Sequence, residues 1–249
     1  MEKFIAELVG TMLLIILGDG VVANVLLSKT KGQNSGWIVI ATGWATAVCV
    51  GVYAVNPISG GHINPAITIA LAAIGKFPWS GVVPYIVAQM IGAFLGGVIV
   101  WLAYKRHFEA TENADFMLLV FCTEPAIRDI PANLLTEIIG TFTLVFGVLS
   151  MTAPGNLGQG PGLGPALGPL VVTLLIWAIG LSLGGPTGYA INPARDLGPR
   201  IAHALLPIPG KRNSDFAYGW VPVVGPIIGG LIGAWVYAVL FGGAAPAAH

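Results

Sequence analysis

The chain has 249 residues, of which 55% are hydrophobic and only 9% charged, with a mean hydropathy of +0.83. A soluble domain carries about 25% charged residues, so this composition excludes a soluble globular protein and indicates one that crosses a membrane several times. The formal net charge is zero and no basic, aromatic-rich face occurs, which argues against nucleic acid as a partner, and two cysteines, Cys49 and Cys122, make no disulfide framework.

Met1-Glu2-Lys3 leads into an apolar run over residues 4–27, too long for a cleaved signal core and predicted to be a retained first span. Glu7 lies inside it, in Glu7-Leu8-Val9-Gly10-Thr11. Asp19 stands near its end, in Leu17-Gly18-Asp19-Gly20, where it would face a pore mouth or a subunit contact. The second span is predicted at residues 37–55. A loop, Ser59-Gly60-Gly61-His62-Ile63, then opens Asn64-Pro65-Ala66 and an apolar segment to residue 74. At about 1.5 Å per residue that segment covers roughly half of the ~30 Å hydrocarbon core. The third span, 82–104, holds Gly92 and Gly96 four apart, a spacing that lets helices approach closely.

A connection over 105–131 is polar and mixed in charge. The fourth span, 132–151, carries Glu137-Ile138-Ile139-Gly140-Thr141; after a Gly- and Pro-rich stretch at 152–166 comes the fifth, 167–183. Thr187-Gly188-Tyr189-Ala190-Ile191 then opens a second Asn192-Pro193-Ala194 and a second half-length segment to residue 204. Residues 205–219 have no counterpart in the first half and are placed at a pore mouth. The sixth span, 221–241, holds Gly229 and Gly233.

The two Asn-Pro-Ala copies lie 128 residues apart, and Glu7 and Glu137 lie 130 apart. Each half reads span, span, half-span, span. Three full spans per half is an odd number, so the second half is inverted. The expected fold is an all-α membrane protein with six transmembrane helices and two re-entrant half-helices, an inverted three-plus-three repeat around one pore. Residues 1–249 would form one channel domain, with repeats at 1–104 and 132–249 joined by a connecting loop at 105–131.

Asn before Pro is a sound helix start: the Asn side chain caps free N–H groups, and Pro lacks a donor that would be orphaned there anyway. One copy means only a capped helix. Two copies at matching places, each after a non-helical loop in an apolar chain, mark a water-lined cavity at membrane depth. Each half-helix N-terminus bears about +0.5 charge, so two of them meeting at mid-membrane repel cations and oppose a proton wire. The amides of Asn64 and Asn192 would donate into the lumen. The carbonyls of Gly60, Gly61, His62 and Ile63, and of Gly188, Ala190 and Ile191, would accept there. A neutral molecule bearing hydroxyls finds both.

Glu7 and Glu137 are read two ways, as a proton relay or as acceptors for the N–H groups of the re-entrant loop in their own half. Their matching places favour the scaffold. Arg195 breaks the symmetry, since Ile67 stands at its counterpart. A guanidinium in a pore excludes cations and offers a rigid fork of donors; the other reading is an ion pair with Asp196 at the helix start. His62 has no partner at metal-ligand spacing and reads as structural, so no metal is implied.

The doubled Asn-Pro-Ala, the inverted halves, Glu7, Glu137 and Asn192-Pro193-Ala194-Arg195-Asp196 resemble the major intrinsic protein family, or aquaporin superfamily, over essentially the whole chain. The Asp after the Arg and the extra segment after the second half-helix resemble its glycerol-facilitator, or aquaglyceroporin, branch, including Gram-positive bacterial members. That resemblance implies a selectivity filter of Trp44, Gly180, Tyr189 and Arg195. Water-selective members have His at the Gly180 position, and Gly there leaves room. Trp44 and Tyr189 then form an apolar corner for a carbon chain, facing Arg195 for its hydroxyls. The branch commonly has Phe where Tyr189 stands, and the phenol is compatible with undissociated lactic acid.

The resemblance also implies Glu7, Glu137 and Asp196 as loop scaffolding, no cofactor, a homotetramer with one pore per subunit, and a bacterial plasma membrane with cytoplasmic termini. Charge opposes that orientation. Lys3 and Lys76 lie on the side of the termini, whereas Lys29, Lys31, Lys105, Arg106, Arg128, Arg200, Lys211 and Arg212 lie opposite. The family orientation is preferred, because charge bias is a tendency. The expected function is a passive channel for glycerol and other small polyols, water and undissociated lactic acid, excluding ions and protons. The alternatives are a strictly water-selective pore, a proton-coupled transporter, and an intramembrane enzyme using Glu7, His62 or Asp19. The enzyme lacks a nucleophile–base pair or metal set.

Overall fold

The structure, a computed structural model, describes residues 1–157 and 163–242. These residues form helices and loops, without strands. In chain order the helices are α1 (Glu2–Leu26), α2 (Trp37–Ser59), α3 (Pro65–Ala73), α4 (Trp79–Ala110), α5 (Ala114–Leu119), α6 (Ile130–Met151), α7 (Pro154–Leu157), α8 (Leu163–Leu183), α9 (Pro193–Leu205), α10 (Phe216–Gly219) and α11 (Val221–Phe241). Six of the described helices, α1, α2, α4, α6, α8 and the segment ending in α11, are long and apolar enough to cross a membrane. The architecture is the expected one, six crossings and two short helices, α3 of 9 residues and α9 of 13.

The short helices start where their sequence dictates. Asn64 is extended (φ −158°) and its side chain accepts from the Ala66 N–H, while Asn192 (φ −157°) accepts from Ala194 and Arg195. Proline follows each at the first helical position, where no N–H is needed. What precedes α3 cannot be helical. Gly60 closes α2 in the left-handed region at φ 87°, and Gly61 follows at φ 60°.

The bundle is close-packed through glycine. A Cβ on Gly92 of α4 would meet the Leu8 carbonyl oxygen of α1 at 2.2 Å. One on Gly229 of α11 would meet the Ile138 carbonyl oxygen of α6, also at 2.2 Å. The two helix pairs therefore use the same contact in each half, backbone against backbone. Each half-helix packs against the last span of the other half, α3 on α11 and α9 on α4. Gly198 of α9 lies against Ala93 of α4, where a Cβ would stand at 2.5 Å.

Two expected segments differ. The third span is longer than 82–104: α4 runs for 32 residues to Ala110, its last turns carried past the apolar stretch by charged residues such as the Arg106–Glu109 pair at 2.7 Å. The connection at 105–131 is less a loop than a packed cap. It contains the end of α4 and all of α5, and it buries Phe108, Met117, Leu118, Phe121 and Cys122. Its charges sit on its outer side and hid this core. Of the Gly- and Pro-rich stretch at 152–166, residues 158–162 lie outside the described residues.

Candidate functional site

Two buried carboxylates hold the two re-entrant loops. Glu7 Oε1 accepts from the His62 N–H at 3.0 Å and from Ser59 Oγ at 2.6 Å. Its Oε2 accepts from the Ile63 N–H at 2.7 Å and from Gln89 Nε2 at 2.8 Å. Glu137 repeats the pattern, taking Thr187 Oγ1 at 2.7 Å, the Ala190 N–H at 3.0 Å and the Ile191 N–H at 2.9 Å. With its N–H groups tied backward to a carboxylate, each loop is left with its carbonyls facing the other way. The cost shows in the backbone, where Ile63 (φ 42°), Tyr189 (φ 38°) and Ile191 (φ 43°) are left-handed. For side chains of this bulk that conformation persists only because the surroundings impose it.

The two Asn side chains then cross. Asn64 Nδ2 donates to the Ile191 carbonyl at 2.8 Å, and Asn192 Nδ2 donates to the Ile63 carbonyl at 2.9 Å. The N-terminal ends of α3 and α9 thus meet and are bonded to each other. Each amide has two N–H groups, so one remains on each Asn for the cavity that both side chains line.

That cavity measures about 350 Å³ and is walled mostly by apolar side chains such as Val48, Ile67, Leu144 and Ile176. Gly60, Gly61, His62, Ile63, Ala190 and Ile191 line it as well, whereas Gly188 lines a second cavity of about 510 Å³ that opens among Glu124, Asp115 and Arg212. Three residues belong to both cavities, Trp44, Tyr189 and Arg195. They form the neck between the two. The Arg195 Cζ lies 3.9 Å from the centre of the Trp44 ring, close enough for a cation–π contact.

Gly180 is placed behind the neck, not in its wall. A Cβ there would stand 2.9 Å from Tyr189 Cζ and Oη, so glycine makes room for the Tyr189 ring and the ring takes up that room. Trp37 completes the support: its Nε1 donates to the Gly180 carbonyl at 2.9 Å and its ring meets Tyr189 edge-on at 5.9 Å. The Tyr189 hydroxyl is buried without a hydrogen-bond partner. The ring reaches the lumen; the hydroxyl adds no polar group to it.

Arg195 does not pair with Asp196. Asp196 accepts from the Thr123 N–H at 2.8 Å and Thr123 Oγ1 at 2.7 Å, and from Arg200 Nε at 2.8 Å. Arg200, fully buried, also donates to the carbonyls of Ser214 at 2.8 Å and Thr123 at 2.9 Å. This node fastens α9 to the connection and to the 205–219 insertion, at the mouth where Arg212 reaches Glu124 at 3.1 Å. Burial raises the Glu124 carboxyl above the usual carboxylate range, against the pull of Arg212. Asp19 is found at neither a mouth nor the protein surface; it is buried, with Arg195 Nη1 at 3.9 Å from its Oδ1. His62 packs against Phe77 and Tyr85, which also touch each other, and bonds Thr68 Oγ1 at 3.1 Å.

Trp37, Gln89, Thr123 and Arg200 were not singled out in the sequence. Gln89 and Arg200 carried a signal, a polar side chain within an apolar span and a second Arg on the half-helix. Trp37 and Thr123 carried none. Among the described residues no three His, Cys, Asp or Glu side chains cluster as metal ligands do.

Residues 1–237 match the family model described as "Major intrinsic protein". The chain is 62% identical to the "Probable glycerol uptake facilitator protein" of Thermotoga maritima, over 97% of this chain and all of that one. It is 40% identical to the "D/L-lactic acid transporter" of Lactiplantibacillus plantarum, over 97% of this chain and 98% of that one. Among solved structures, the aquaglyceroporin from Plasmodium falciparum superposes with a TM-score of 0.83 at 32% identity, covering 95% of this chain and 94% of that one.

Proposed function

The chain belongs to the major intrinsic protein family, whose members are channels and not enzymes, and from that premise we propose that it passes glycerol and other small polyols down their gradients, with water as a further permeant. The observation that carries this reading is the neck. Trp44 and Tyr189 give two apolar rings and Arg195 a fork of donors, all three shared by the cavities on either side. A polyol is apolar along its carbon edge and polar along its hydroxyl edge, and it matches such a slot on both. Beyond the neck, the free N–H groups of Asn64 and Asn192 and the carbonyls of the two loops continue the exchange of water for protein partners.

Ions are excluded on this reading by two means. The N-terminal ends of α3 and α9 each carry about +0.5 charge, and an ion in the neck would give up its water for two apolar rings and the Arg195 donors, which cannot replace it. Glu7 and Glu137 serve as scaffolding: every bond they accept comes from their own half's loop or the helices beside it, and neither lines a cavity, which disfavours proton coupling. Undissociated lactic acid is the second reading, favoured by the name of the Lactiplantibacillus plantarum relative. It is small, uncharged and hydroxylated, and the same slot suits it.

We place the protein in a bacterial plasma membrane as a homotetramer with cytoplasmic termini. Half of the basic residues that oppose this orientation are paired with carboxylates. Arg106 pairs with Glu109, Arg128 with Asp215, Arg200 with Asp196, and Arg212 with Asp115 and Glu124.

Purified protein in liposomes, followed by light scattering, tests the function. Glycerol flux linear in its gradient and independent of any proton or ion gradient is expected. Saturating or gradient-coupled flux would overturn the reading.

A further inference from the structure

Among the described residues, the buried acids are well supplied with donors, with one exception. Glu7, Glu137 and Asp196 each accept at least three hydrogen bonds. Asp19 is as buried as they are, and neither of its oxygens accepts any. Its one close cation is Arg195, whose Nη1 lies 3.9 Å from Oδ1 and is itself buried without an acceptor. The arrangement is built by α1. A Cβ on Gly18 would fall 2.2 Å from Trp44 Cζ3, so only glycine lets the Trp44 ring lie against this turn. The neighbouring Asp19 is thereby brought up to the guanidinium that lies over that ring at 3.9 Å. Asp19 is absent from the linings of both cavities. It stands behind the filter cation, on the side away from the path.

A carboxylate without donors is costly to bury unless a cation offsets it, and the cation beside this one is the filter's own Arg195. We propose that Asp19 is a positioning and specificity-determining residue of the pore. It draws the Arg195 fork back against Trp44 and cancels its charge, so that the neck offers hydrogen-bond donors without a net positive potential. A bare guanidinium in a narrow, water-poor neck would repel cations and at the same time bind anions. With a counter-charge behind it, an anion entering the neck loses its hydration and gains little in return. Asp19 therefore extends the exclusion of ions to anions, while the donors remain for uncharged solutes. The inference rests on the reading of Trp44, Tyr189 and Arg195 as the selective neck.

The test measures the permeability of proteoliposomes to nitrate and to potassium alongside glycerol and water. Removing a unit charge this close to the path is expected to raise nitrate permeability about tenfold or more in Asp19→Asn, with potassium still excluded. Asp19→Glu, which keeps the charge, should return it toward the native value. In the double variant Asp19→Asn, Arg195→Gln the nitrate leak should disappear, since no uncancelled cation is left to draw it. Asp19→Ala, which leaves no amide to be satisfied, is the second variant should Asp19→Asn fail to assemble, and the same leak is expected from it. A change of solute ranking in Arg195→Gln, with nitrate unchanged in both neutral Asp19 variants, would overturn the proposal and leave the filter standing. No change in Arg195→Gln itself would overturn the filter reading.

Discussion

At the scale of single residues, the neck divides its work between side chains that face the lumen and side chains that hold them. Arg195 belongs to the first kind. Arg195→Val removes the fork of donors and the bulk that narrows the neck, and it should raise permeability to larger uncharged solutes, with a lower melting temperature because Asp19 loses its one counter-charge. Proteoliposome fluxes check this, and unchanged selectivity would place the filter elsewhere. Tyr189 acts through its ring. Its hydroxyl is buried without a partner against Gly180, so Tyr189→Phe should leave the glycerol-to-water ratio as it is. It should also raise the melting temperature in detergent, by an amount corresponding to about 1 kcal/mol. A shift in solute ranking would mean that the hydroxyl reaches the path after all. The repeated motifs made Asn64, Asn192 and Arg195 legible as residues of interest. The partner of Asp19 was not legible, because nothing local in Leu17-Gly18-Asp19-Gly20 points to a guanidinium on another helix. The task of Gly180 was half legible: its lack of a side chain was plain, but not that the Tyr189 ring would occupy the space.

At the scale of elements, the loops before α3 and α9 are set by carboxylates on other helices, not by their own sequence. Glu137→Gln replaces an acceptor with an amide group facing the N–H groups of Ala190 and Ile191, at 3.0 and 2.9 Å in the native protein. The expected result is a loss of about 3 kcal/mol in stability, read by thermal unfolding in detergent, together with reduced flux. Full flux and native melting would remove Glu137 from the scaffold. The glycine contacts set the spacing of the long helices. Gly229→Leu must push α11 off the Ile138 carbonyl, which a Cβ would approach to 2.2 Å. Overpacking of this kind costs about 1–3 kcal/mol, and a fall in melting temperature is expected. A neutral outcome would show that the pair has room to spare. The spans were legible because an apolar run of membrane length has few other uses. The connection at 105–131 was misjudged as a loop, since average polarity cannot reveal that Phe108, Met117 and Phe121 converge on one buried side.

For the whole molecule, internal repetition was the most readable property of the sequence. Matching spacings gave the inversion, and the inversion gave the meeting of α3 and α9. What repetition could not give was the exchange between halves. α3 lies on α11, α9 lies on α4, and each Asn bonds the opposite loop. The exchange also has a meaning in time. A ribosome delivers α3 long before α11, so the first re-entrant segment emerges with α4 on one side and without the wall that α11 later provides. It must wait, held by Glu7 and by Tyr85 and Gln89 of α4, until the final crossing arrives and closes over it. Chains released before α11 should therefore leave a cysteine placed at Ala66 open to aqueous thiol reagents, whereas full-length chains should shield it. Equal shielding in both would mean that the first half matures without its counterpart.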